Sequence, residues 1–133
     1  MKKFGLLALT GAMVLMLNAN VFAVPVFKKQ WDESYLTDNK NEAFVAAAEE
    51  AKCNLCHYGK SKKNRNDYGE ALHKFLEKDN YKSSRVKAEP EKVKAEILDA
   101  FKKVSEMKAK DGETFGEKIE AGKLPGTNPP EEE

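Results

Sequence analysis

The run Cys53-Asn54-Leu55-Cys56-His57 constrains this chain more than any other stretch. Two thiols separated by two residues and followed at once by an imidazole suit one task. The thiols can add to the two vinyl groups on one edge of a porphyrin while the imidazole gives a ring nitrogen to iron. Read this way, Cys53 and Cys56 tether a covalent c-type haem and His57 is its proximal ligand. Two other chemistries use similar residues. A redox dithiol of the Cys-x-x-Cys kind calls for a βαβ setting, and residues 45–80 contain no strand-rich stretch. A zinc site calls for four ligands. The chain offers Cys53, Cys56 and His73, with His57 too close to Cys56 to join them easily. The haem reading uses the whole pentad and leads.

A covalent haem of this type is attached outside the cytoplasm, and the N-terminus agrees with export. Lys2 and Lys3 precede an apolar run from Phe4 to Leu17, and Val21-Phe22-Ala23 offers a small-residue cleavage site. Residues 1–23 therefore read as a secretory signal and the mature protein as periplasmic or secreted. The apolar run is short for a span, which needs about 20 residues; an uncleaved anchor is the alternative. Once cleaved, the chain has no stable membrane span, and no cysteine follows Ala23 closely enough for a lipid anchor. Losing Lys2 and Lys3 leaves 21 basic against 22 acidic residues. That balance has no basic excess to suggest nucleic acid. Both cysteines belong to the pentad, so no structural disulfide is available beside a covalent haem. A domain of this size has limited apolar area to bury, and a haem would supply much of its core.

The rest of the chain reads as helices. Trp31 and Tyr35 stand one turn apart in the mature N-terminal segment, which covers the core or, alternatively, docks a partner. Glu42 to Lys52 is rich in Ala and Glu, with Phe44, Ala47, Ala48 and Ala51 at helical spacing, and leads into the pentad. Tyr58 to Asn66 reads as a polar basic loop along the haem edge, either steering an acidic redox partner or merely solvated. Asp67 is the expected cap of a helix whose apolar stripe is Tyr68, Ala71, Leu72, Phe75 and Leu76. Asp79 to Glu89 reads as a connection. Pro90 opens the longest amphipathic helix, with Val93, Ile97, Ala100, Phe101, Val104 and Met107 along one face. Thr114-Phe115-Gly116-Glu117 matches a capping box for a short helix that runs to Ala121 and stops at Gly122. The fold expected is all-α, a small cytochrome c-like domain over 24–126 with four to five helices around one haem. Residues 127–133 read as a disordered acidic tail.

The sixth coordination position of the iron decides what such a haem does. In the mature chain His73 and Met107 are the only His and Met apart from His57. Met107, on the apolar face of its helix, is the first candidate, and ordinary core packing is its bland alternative. His73, on the boundary of its helix, is the runner-up, with a surface role as its alternative. An open position, or one filled by a partner, is the third option.

Four runs carry a family likeness: Glu50 to His57, Lys62 to Gly69, Thr114-Phe115-Gly116 and Ala121 to Pro125. Together they resemble small secreted single-haem c-type cytochromes of planctomycete and anammox bacteria, over most of residues 27–125. The resemblance implies haem on Cys53 and Cys56, with His57 on the iron. Some relatives pair as two small haem c subunits, use a cysteine as second axial ligand and bind nitric oxide. This chain departs from them in having no cysteine outside the pentad, so that ligation does not carry over. Pairing with a second subunit stays open.

The leading expectation is single-electron transfer between protein redox partners. The alternative is a subunit that binds or senses diatomic gases such as NO or CO. Enzymatic turnover is not expected, because no substrate pocket is evident in the sequence.

Overall fold

The computed structural model describes residues 25–60 and 63–129. The leader expected over 1–23 lies outside them, as do residues 130–133 of the expected tail. Six α-helices run in chain order: α1 Pro25–Tyr35, α2 Glu42–Ala51, α3 Asp67–His73, α4 Ser83–Ala88, α5 Pro90–Ser105 and α6 Phe115–Glu120. Two 3-10 turns, Lys52–Leu55 and Lys78–Tyr81, and two short strands, β1 His57–Tyr58 and β2 Asn64–Arg65, complete them. The domain is mainly helical, as expected, with one helix more than the upper expectation and a small sheet that the sequence reading did not contain. None of the described helices is long and apolar enough to cross a membrane.

Helix α5 is the centre of the packing. Its residues Val93, Ile97, Ala100, Phe101 and Val104 are all buried, which is the face that a three- and four-residue apolar spacing must produce. The Val, Ile and Phe side chains each contribute about 1.5–3 kcal/mol on burial. Against this face pack α1, α3, α4 and α6. Aromatic rings tie the layers together. Trp31 lies 5.1 Å from Tyr35 and 6.3 Å from Phe44, and Tyr35 lies 6.0 Å from Phe101. The N-terminal helix therefore covers the core through Trp31, which donates from Nε1 to the Tyr68 hydroxyl at 2.9 Å.

The departures from expectation have local causes. Helix α4 occupies part of the stretch read as a connection. It ends at Ala88 because Pro90 disfavours helical geometry at the residue before it, and Glu89 accordingly sits at φ −131°, ψ 54°. Arg85 then bonds Glu96 at 2.7 Å, fastening α4 to α5. Helix α3 stops at His73, so Phe75 leaves the predicted stripe; it is 42 % exposed, with the Lys103 ammonium 5.8 Å from its ring centroid. Helix α5 stops at Ser105, so Met107 is not on its apolar face but in the turn beyond it. The capping box at Thr114 and Glu117 is present in both directions. Gly122 follows α6 at φ 74°, the left-handed geometry that glycine supplies most readily after a helix.

The first residues of the expected tail are held. Thr127 donates its N–H to Asp67, its hydroxyl accepts from Lys118 Nζ at 3.0 Å, and Asn128 Oδ1 accepts from Asn66 at 3.2 Å. Lys118 itself is only 4 % exposed and pairs with Asp111 at 2.8 Å. A buried ammonium needs such partners.

Candidate cofactor-attachment site

Helix α2 delivers the chain to the pentad. Asn41 caps its start by accepting from the Phe44 N–H at 3.1 Å, and at its end Lys52 turns into the left-handed region at φ 49°. A non-glycine residue there is strained and redirects the backbone. The 3-10 turn follows, and the Cys56 N–H donates to the Cys53 carbonyl at 3.3 Å, so the two cysteines bracket one tight turn. Leu55, 3 % exposed, pins that turn into the core. Cys53 and Cys56 are half-buried free thiols.

His57 opens β1 and faces Arg65 of β2 in the antiparallel register. Its Nδ1 lies 3.2 Å from the Asn64 carbonyl oxygen. A carbonyl only accepts, so Nδ1 carries the ring proton and Nε2 keeps the free lone pair. Metal-binding histidines are oriented in this way, by a second partner that fixes the tautomer.

Burial acts on the Cys56 thiol and on Tyr68 together. Burial pushes the Cys56 thiol up to about 12, the neighbouring Cys53 adds to the rise, and Lys28 opposes it. Tyr68 is likewise raised, first by burial and then by Cys56 and Tyr35, against the Trp31 hydrogen bond. A thiol that stays protonated at neutral pH is a poor nucleophile for disulfide exchange. This makes Cys56 a poor attacking thiol. Nor does His73 join the pentad: among the described residues no three His, Cys, Asp or Glu side chains form a group able to hold a metal ion. A ready-made zinc site is therefore not found there. The donor set matches that of a covalent haem c, with two thiols at this spacing and an imidazole with Nε2 available.

Of the two candidates for a second axial ligand, Met107 lines a cleft with residues that contact the pentad, Arg65 and Asn66. Met107 is half-buried in the turn after α5, where its carbonyl accepts from the Phe115 N–H at 3.0 Å. It lines a cleft of about 280 Å³ with Arg65, Ala71, Lys74, Lys110 and Phe115. His73 is the half-buried last residue of α3. A second cleft, of about 550 Å³, lies between Asp79 and Glu96. Neither cleft is lined by Cys53, Cys56 or His57.

Three residues that matter to the pentad were missed in the sequence. Asn64 supplies the carbonyl to His57. Asn66, not Asp67, is the N-cap of α3, with Oδ1 accepting from the Gly69 N–H at 2.9 Å. Asp67 sits one position inside, and its carboxylate accepts instead from the N–H groups of Tyr68, Lys110 and Thr127. Gly69 lets α3 lie against the pentad, since a Cβ there would overlap the Cys56 carbonyl oxygen. The signals were an Asn–Asp pair, either of which caps well, and a glycine inside a helix, where it costs stability unless close packing needs it.

No protein-family model, curated protein or solved structure matches this chain.

Proposed function

We propose that the chain is a secreted or periplasmic monohaem c-type cytochrome that carries single electrons between protein redox partners. The observation that carries this reading is the Asn64 carbonyl on His57 Nδ1, which leaves Nε2 free beside two thiols at the attachment spacing. Bound haem supplies the one-electron chemistry of its iron. The protein's work is then to hold and tune. Cys53 and Cys56 would hold the haem as thioethers, and His57, its ring set by Asn64 on β2, would supply Nε2 to the iron. Leu55, Tyr68 and Trp31 give the attachment turn an apolar, buried backing, and burial is one of the levers on potential. Lys60, Lys63 and Arg65 put positive charge on the hairpin beside the pentad, which favours encounter with an acidic partner.

One observation favours the gas-binding reading. Met107 lies in the turn after α5, and its cleft is lined by Arg65 and Asn66, which contact the pentad, but not by His57 itself. A sixth position without that thioether is open to a diatomic ligand. Reduced holoprotein treated with CO separates the two. An unchanged visible spectrum with reversible oxidation and reduction supports the electron carrier. A rapid spectral change transfers the proposal to gas binding. A preparation with no haem absorption overturns both.

A further inference from the structure

Asn66 is 2 % exposed, and each of its hydrogen-bonding groups is engaged. Its N–H donates to Cys56 O at 2.9 Å and its carbonyl accepts from the Glu70 N–H at 2.9 Å. Its Oδ1 caps α3 through Gly69. The two Nδ2 hydrogens go to Leu55 O at 3.0 Å and Asn128 Oδ1 at 3.2 Å. Two of these bonds end on the pentad itself. Two glycines make room for the arrangement: Gly69 on the pentad side, and Gly126, where a Cβ would overlap the Asn66 amide nitrogen. A helix cap alone needs only Oδ1, which serine or threonine would provide equally well. The amide donor, buried between the pentad and Asn128, is surplus to capping.

We infer that Asn66 is a positioning residue for the proximal ligand. Its N–H and Nδ2 hold the Leu55 and Cys56 carbonyls, fixing the peptide planes that lead into His57. Two residues upstream, on β2, Asn64 holds the imidazole. The backbone before His57 and the ring of His57 are thus set from one short segment, and Asn128 steadies the amide from the other side. This rests on the haem reading proposed above, and extends it to the residue that keeps the iron's imidazole in place.

The test uses holoprotein from a host competent in cytochrome maturation. Asn66→Ser keeps a capping oxygen for Gly69 and removes the amide donor, without adding charge. The expected result is a Gly69 amide as protected from hydrogen exchange as in wild type, with about tenfold faster exchange at the residue 66 amide. The reduction midpoint should fall as well, because a loosened turn admits water that favours the more highly charged ferric iron. Asn128→Ala, at an exposed position, should move the midpoint in the same direction by less, and decides the matter if the serine variant fails to fold. Wild-type midpoint and spectra in the folded variants, with Gly69 still protected, would reduce Asn66 to a cap and overturn the inference. Failure of the haem reading looks different: wild type itself would carry no haem, while the exchange pattern around Asn66 would still report the polypeptide clamp.

Discussion

Helix α5 and the pentad loop are built on opposite principles. Over Pro90–Ser105 one repeated spacing buries five side chains, and no single hydrogen bond defines the element. From Lys52 to Tyr58 the chain passes through a strained residue, a 3-10 turn and a two-residue strand. Its shape depends on a few particular atoms: the Asn64 carbonyl, the Asn66 amide and the space left by Gly69. The first kind of element loses stability in proportion to the volume removed. The second loses geometry when one atom is changed. A protein that must both stay folded and hold one ligand at a fixed angle has use for both.

The sharpest way to separate the two regions is to remove the imidazole. His57→Ala should abolish the normal haem spectrum of secreted protein, with far-ultraviolet helicity retained, since the helices close a core of their own side chains rather than one supplied by haem, and His57 lies outside every α-helix. Loss of helicity along with the haem would break the comparison, because the loop would then be part of the core. At the other region, Ile97→Ala should cost about 2–5 kcal/mol in denaturant unfolding, as Ile97 is fully buried on α5. Gly69→Ala bridges the two. Its Cβ would overlap the Cys56 carbonyl oxygen, so about 1–3 kcal/mol should be lost, together with a shifted haem spectrum that Ile97→Ala does not produce. Smaller still, Thr114→Ala should cost about 1 kcal/mol, confined to α6 and spectrally silent.

Acid sharpens the same contrast. Lys118 holds the Asp111 carboxylate below its ordinary range, and the capping bonds from Thr114 do the same for Glu117. For a carboxylate depressed in the folded state, the stabilisation is complete above the unfolded value. It is lost as pH falls through the folded one. Stability should therefore decline below about pH 4, with Asp111→Asn flattening that decline in pH-dependent unfolding while leaving the haem spectrum at pH 7 unchanged.

The sequence made α5 and α6 legible because their signals are redundant. Five apolar residues repeat at helical spacing in one, and Thr114 and Glu117 satisfy each other's backbone groups in the other. The pentad was legible as a set of residues, two thiols and an imidazole at a spacing with few uses. Its conformation was not. A two-residue strand is too short to show alternation, so the pairing of His57 with Arg65 left no pattern to read. Met107 continued the α5 spacing beyond the point where the helix stops, and periodicity alone does not mark that end. The choice between Asn66 and Asp67 as cap turned on which side chain reached the Gly69 amide, a fact of tertiary geometry rather than of propensity.

A covalent haem requires the two sulfurs of Cys53 and Cys56 to become thioethers. Intact mass of the mature protein, secreted from a host competent in cytochrome maturation and read beside its visible spectrum, tests this most directly. The prediction is a polypeptide heavier by one haem that survives denaturation, and a mass that reverts to bare chain in the double variant Cys53→Ser, Cys56→Ser. A colourless wild-type protein with the mass of the bare polypeptide would contradict it.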